Sequence, residues 1–427
     1  MTLKMRVLSF ILAFLVGLAL PAATLEQKSV YIPRDLQGMD LNDPASKWST
    51  GRMVSTENVV LFWAPGFGDN IASAPDLDGH RMSVDMANLL ARLEQFYRFY
   101  YHDLGFVKPG SKADRYKMMV MLDYSLEGTA YGGDYDGEIG ALWIAPNRVQ
   151  DARLNCIAHE LGHSFQSQIA CDGEGESWGG HGIFEMASQW MLWRVNPDWP
   201  ADENYHLAAF RDNTHRAFLH IDNIYRSPYI LEYWAERHGD HAIADLFRAG
   251  RRGEDPVETY KRVYGMSQEK FNDEMFDAVR SLVNWDLEYA RDNMRRYANV
   301  WDTPLTRSGR WMSPDTARVP EDYGFNFIRL DVPAPGKSVR VNVEGLSSGK
   351  DAGWRYGLVA VDSEGRSTYS DVKHARKGTL SYTAPADGPN TEHLWLVVMG
   401  APSAHRQLSR ELTGSRRWNY RFSILSY

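Results

Sequence analysis

The sequence predicts an α+β chain in three consecutive parts: a mixed sheet-and-helix stretch, a helical stretch, and an all-β sandwich. Three observations carry this. Short apolar runs alternate with helical periodicity up to about residue 170. From Gly182 to about Asn299 the signal is almost wholly helical, and beyond Trp301 a period of two takes over. The length of 427 residues suggests two or three domains, each able to bury a core.

In the first part, "NVVLFWAPGFG" (58–68) reads as a buried strand ending in a Gly-Pro turn. Ser83 is a candidate N-cap for a long helix whose apolar face is Met86, Leu90, Leu93, Tyr97 and Tyr100. "YKMMVML" (116–122) and "IGALWIAP" (139–146) are two further strands, with a glycine-rich loop, "GTAYGGDYDGEIG", between them. A helix over 152–170 follows. In the second part, Ser227-Pro228 and Asp255-Pro256 read as N-caps followed by proline at the first helical position, and Gly239 and Gly265 as stops. In the third, "SVRVNVE" (338–344) alternates strictly. The runs at 355–362, 378–383, 393–399 and 418–425 complete the pattern of a β-sandwich. The predicted boundaries are an irregular segment at 24–57, open to a propeptide role, a domain at 58–300 divided near 170, and the sandwich at 311–427.

Residues 1–23 read as a signal peptide: Lys4 and Arg6, an apolar run from Val7 to Leu20, then Pro21, Ala22 and Ala23. The expectation is a secreted or periplasmic protein with no membrane span after signal removal. Loss of the two basic residues takes the formal charge from −8 to −10. An acidic chain without a basic run argues against a nucleic-acid partner. Cys156 and Cys171 are the only cysteines. On one continuous helix their fifteen-residue separation spans about 22 Å, whereas a disulfide needs Cα atoms within about 7 Å. They are expected to stay unbonded to each other.

The chemistry lies in "CIAHELGHSFQSQ" (156–168). On a helix, His159 and His163 project from one face about a turn apart and can aim two imidazole nitrogens at one ion. Zinc accepts nitrogen at about 2.0–2.1 Å, and a catalytic zinc keeps one position for water. Glu160, beside the first histidine, is placed to take a proton from that water. The bland alternative is a polar helix face with two solvated histidines. Against it stand the preceding strand and the apolar side formed by Ile157, Ala158, Leu161 and Phe165. "GIFEMASQWMLW" (182–193) supplies the leading third ligand, Glu185, in the first turn of a helix that can return antiparallel. Its rivals are His181, Asp172, Glu174 and Glu176.

HELGH followed by a helix bearing "FEMASQW" resembles the gluzincin zinc metallopeptidases, over roughly residues 55–290. "NVVLFWAPGFGD" before "AHELGHSFQ" is also similar to an uncharacterised family of secreted bacterial zincin-like proteins. The resemblance implies a zincin-like fold with one Zn²⁺ per chain on His159, His163 and Glu185, and Glu160 as base. It departs from the pattern of thermolysin-like enzymes at Gln189, where they carry an Asp. Such enzymes also use a Tyr or His to stabilise the oxyanion. Among His220, Tyr225, Tyr229 and Tyr233, the candidates taken are Tyr225 and Tyr229, which flank a helix start. Asp134, Asp136 and Glu138 are expected in a loop over the cleft, and the tryptophans, including Trp178, Trp190, Trp193 and Trp354, mostly in the core. The predicted activity is hydrolysis of a peptide or protein substrate. A zinc amidase acting on cell-wall peptide or glycopeptide, and a non-catalytic binding protein, are the alternatives. The sequence leaves oligomeric state open.

Overall fold

Apolar runs of five or six residues, too short for buried helices, build the sheet that organises the N-terminal part. The structure, a computed structural model, describes residues 27–175, 178 and 181–426; the leader at 1–23 and Glu176 lie outside them. The strands are Met53–Ser55 (β1), Val59–Trp63 (β2), Met118–Leu122 (β3), Ala130–Tyr135 (β4) and Ile139–Ile144 (β5), in the order β1-β2-β3-β5-β4. The central strands β2, β3 and β5 run parallel, with β1 and β4 antiparallel at the edges. Parallel strands are covered on both faces, which is why β2 and β3 read as unbroken apolar runs.

The stretch read as a glycine-rich loop is largely β4. Asp134, Asp136 and Glu138 lie at its far end rather than over the cleft. Asp136 accepts from Tyr31 Oη and Arg34 N, and Glu138 pairs with Lys112. Asp136 thus ties the hairpin to the N-terminal segment, and Asp134 accepts from Gly137 N within the turn. That segment is itself anchored: Leu36 and Trp48 are buried, and the Arg52 guanidinium donates to the carbonyls of Pro44, Lys47 and Trp63.

Helix α1 (Met86–Arg98) is capped by Asp85, which accepts from Asn88 N, and not by Ser83. A short helix α2 (Lys112–Arg115) precedes β3, and α3 (Asn155–Cys171) lies on the sheet. Polar side chains fix α3 there: Ser164 Oγ donates to Ala141 O, and Gln168 Oε1 accepts from Gly140 N. Cys156 and Cys171 sit at opposite ends of α3, both as free thiols.

The helical part comprises α4 (Ile183–Val195), α5 (Trp199–Asp202), α6 (Asn204–Asp212), α7 (Tyr229–His238), α8 (Ala242–Ala249), α9 (Pro256–Val263), α10 (Gln268–Ser281) and α11 (Ala290–Met294). Asp255 and Glu258 form a reciprocal capping box at α9. Ser227 caps nothing; its hydroxyl donates back to Asn223 O. Trp178, Trp190, Trp193 and Trp354 are all buried.

The β part begins with Leu305–Ser308 (β6) and Trp311–Pro314 (β7). It continues with Phe325–Leu330 (β8), Ser338–Gly345 (β9), Trp354–Asp362 (β10), Ser367–Tyr369 (β11), Lys377–Thr383 (β12), Thr391–Gly400 (β13) and Tyr420–Ser426 (β14). They form two antiparallel sheets, β11-β10-β13-β8 and β12-β9-β14-β7-β6. Between the sheets pack Val341, Val343, Tyr356, Leu358, Leu394 and Leu396. The opposite face of β10 and β13 carries Val359, Val361, Trp395, Val397 and Met399, which join the core of the helical part. Both faces of these strands are therefore buried. Among the described residues, no helix is long and apolar enough to cross a membrane.

Candidate metal centre

Helical spacing places His159 and His163 on one face of α3, where α4 crosses with Glu185 in its first turn. Glu185 Oε2 stands 3.1 Å from Nε2 of each histidine, and the two Nε2 atoms are 3.1 Å apart. Among the described residues, this is the one group of three or more His, Cys, Asp or Glu whose ligand atoms lie close enough to share an ion. Of the rivals, Asp172 accepts from Ser111 and Lys112, and Glu174 pairs with Arg248 and Lys108. His181 lies by Asp255 and His405.

The outer nitrogens decide what this group can hold. Gln189 Nε2 donates to Tyr225 O at 2.7 Å, which turns its Oε1 onto His159 Nδ1 at 3.0 Å. An amide oxygen only accepts, so Nδ1 must carry the proton. Gln166 does the same on the other side, with Nε2 on Phe184 O and Ser188 Oγ, and Oε1 3.0 Å from His163 Nδ1. With both imidazoles neutral, the two Nε2 atoms present lone pairs to a carboxylate oxygen. Three acceptors at contact distance repel one another unless a cation lies among them. Ligands about 2.0–2.1 Å from one tetrahedral zinc stand about 3.3 Å apart, close to the observed spacing. The donor set fits Zn²⁺ with a position left open.

Burial pushes the Glu185 carboxyl up, but where protons rather than a metal ion lie between it and the two imidazoles, their hydrogen bonds and charge hold it well below the usual carboxylate range. Glu160 points beside the triad. Its Oε2 accepts from Gly132 N at 2.9 Å, leaving Oε1 for another partner. Burial raises its carboxyl above the ordinary value, with His159, His163 and the Gly132 amide pulling the other way. Gly132 is required here: a Cβ on it would run into the Glu160 carbonyl.

The two tyrosines part company. Tyr225 is 43% exposed, its ring centroid 6.0 Å from that of His159, and burial together with Glu185 raises its hydroxyl. Tyr229 is fully buried against Trp193, Phe210 and Trp285, with its hydroxyl unpartnered, so it does not reach the cleft. His220 is likewise buried, and its Nδ1 accepts from Asp222 N.

Two clefts meet at His159, Glu160 and Tyr225. One, of about 380 Å³, runs along β4 past Tyr131, Gly132, Gln166 and Phe184. The other, of about 280 Å³, is lined by Arg148, Cys156, Glu203, Tyr205 and His206. None of the described residues of the N-terminal segment lines either. Sequence reasoning missed Gln166 and Gly132. Gln166 was legible as the polar residue one turn beyond His163, whereas Gly132 had no signal apart from its neighbouring glycine.

A mixed sheet bearing the His-Glu group's first helix, a helical part supplying its third member, and a fused sandwich define an α/β chain with a candidate metal centre. The chain belongs to the Family of unknown function (DUF6055), whose model matches residues 22–426. No curated protein sequence matches it. Solved structures to which it is similar include the M60 catalytic domain of Clostridium perfringens ZmpC in complex with the sialyl T antigen. That match has 12% identity and a TM-score of 0.30, and covers 88% of this chain and 69% of that chain. The Clostridium perfringens ZmpB metallopeptidase matches at 13% identity and TM-score 0.31, covering 87% and 69%. The CBM22-1 xylan-binding domain of Paenibacillus barcinonensis Xyn10C matches at 12% identity and TM-score 0.20, covering 29% and 80%. At these scores the likenesses are too distant to assign an activity.

Proposed function

We propose that the protein is an exported zinc-dependent metallohydrolase that cleaves peptide bonds, with a zincin-like domain at 58–300 followed by the sandwich. The observation that carries this reading is the convergence of three lone-pair donors on one point, beside a carboxylate with a free oxygen. His159, His163 and Glu185 would hold the ion, and Gln189 and Gln166 keep the imidazoles in the ligating tautomer. When bound, the ion supplies Lewis acidity, polarising a carbonyl and acidifying water.

The remaining chemistry belongs to the chain. Glu160 Oε1 takes a proton from the attacking water as its oxygen bonds to the scissile carbonyl carbon. The same carboxyl returns that proton to the amine nitrogen as the C–N bond breaks. Its Gly132 hydrogen bond fixes the carboxylate plane during both transfers. Tyr225, at the junction of the two clefts, donates its hydroxyl proton as a hydrogen bond to the oxygen that gains charge. Its raised hydroxyl stays protonated at neutral pH, as a donor requires.

Glu160→Gln is expected to abolish turnover of casein peptides, by 10³-fold or more on the order of a lost general base, while zinc content stays at wild-type level. Unchanged turnover in this variant contradicts the assignment. Activity on purified cell wall but not on casein would redirect the substrate class to an amidase.

A further inference from the structure

The connection between β13 and β14, residues 401–419, leaves the sandwich and runs along the helical part. Pro402 O accepts from Asn272 Nδ2 at 2.9 Å, and His405 Nε2 lies 2.7 Å from Asp255 Oδ2, the acid that caps α9. Gln407 Nε2 donates to Gly253 O at 3.0 Å and to Glu258 Oε2 at 2.6 Å. The connection then turns at Ser409–Thr413, where Ser409 Oγ donates to Thr413 O and accepts from Thr413 N.

Leu412 lies in that turn. It is only 7% exposed and has φ 54°. Leucine seldom occupies the left-handed region, and does so where the surroundings hold it. Here they do. Its carbonyl accepts from Ile221 N at 3.2 Å. A Cβ built on Gly182 would come within 2.7 Å of Leu412 Cδ1 and 2.5 Å of Ile224 Cγ2. Gly182 immediately precedes α4, three residues before Glu185. Ile221 and Ile224 belong to the segment that ends in Tyr225, whose carbonyl holds Gln189. The Leu412 side chain therefore sits where the start of α4 meets the Tyr225 segment.

We infer that Leu412 is a positioning residue for the metal centre: the sandwich reaches across the molecule and wedges Glu185 and Tyr225 into register. The inference rests on the reading of His159, His163 and Glu185 as the metal-holding group. It assigns the C-terminal part a role in assembling the site, beyond that of an appended module.

The test uses the full chain with three variants. Leu412→Ala removes the wedge, and Leu412→Met restores its bulk. Arg355→Met breaks the pairs of β10 with Glu269 and Asp273 on α10, a contact of the same two parts far from the centre in sequence and role. Hydrogen exchange is followed in peptides covering 183–187 and 221–226, and zinc affinity by competition with a chelator. L412A is expected to speed exchange in both peptides and to weaken zinc about tenfold, the scale of a lost outer partner. L412M should restore both, and R355M should leave both unchanged even where it lowers Tm. Wild-type exchange in L412A overturns the inference, as does faster exchange with undiminished zinc affinity. If L412A does not fold, Ser409→Ala loosens the same turn without removing the leucine and is judged by the same criteria. A wild type that holds no zinc ends the metal reading and this inference with it, whereas a zinc-binding wild type with an unaltered L412A ends this inference alone.

Discussion

Gln189 shows how one side chain sets the chemistry of another. Its amide nitrogen is spent on Tyr225 O, so its oxygen must face His159, and the imidazole is left with its lone pair inward. A carboxylate at this position would raise imidazole basicity further, but the amide already fixes tautomer and ring plane. Gln189→Leu leaves His159 Nδ1–H and the Tyr225 carbonyl unpaired together. Zinc affinity measured against a competing chelator is expected to fall about 10- to 100-fold, with Gln189→Glu falling less, because its carboxylate still accepts from His159 Nδ1 but has no donor for Tyr225 O. The two histidines were legible because helical spacing fixes which residues share a face, so His159 and His163, with Glu160 beside the first, could be placed before any tertiary contact was known. Glu185 was legible from chain length, since the residues between the two helices suffice for an antiparallel return. Tyr229 was not. A position flanking a helix start does not say which way the ring turns, and the packing of Trp193, Phe210 and Trp285 settles it.

At the scale of elements, β4 is the instructive miss. "AYGGDY" has little strand propensity, and its glycines read as loop punctuation. The strand forms because β5 pairs with it along six residues and because α3 packs so near that no side chain fits at Gly132. Tertiary context overrides propensity, and the same closeness delivers the amide that holds Glu160. Gly132→Val is expected to cost about 1–3 kcal/mol in denaturant unfolding and to displace the strand from Glu160. An unchanged unfolding midpoint would show that β4 does not press on α3. Ser83 and Ser227 failed as caps for a simpler reason. Asp85 offers a carboxylate nearer the apolar helix start, and Ser227 turns back onto Asn223. Asp255 succeeded because Glu258 completes the reciprocal box.

For the whole molecule, the helical part and the sandwich share one core through the outer faces of β10 and β13. The sequence marked these strands as short runs at 355–362 and 393–399 but not what their outer face covers. A continuous apolar run such as "HLWLVVM" is the trace of that double burial. The seam also contains His215, whose carbonyl accepts from Glu321 N. Burial, with Arg216, Arg318 and Arg417 nearby, lowers its imidazole to about 4. Its ordinary value is about 6.5, so between these limits the unfolded chain binds the proton and the folded one does not. Stability is therefore expected to fall as pH drops from about 6.5 towards 4, with this contribution constant above that window. His215→Gln should flatten the slope of unfolding free energy against pH across the window. An unaltered slope would show that His215 is not the group responsible.

The metal content of the purified protein is to be measured beside a His159→Ala control. About one tightly held zinc per chain is expected, absent from the control, because the inward lone pairs of His159, His163 and Glu185 need a cation to coexist. Zinc-loaded wild-type protein that emerges from a desalting column empty would contradict the metal reading.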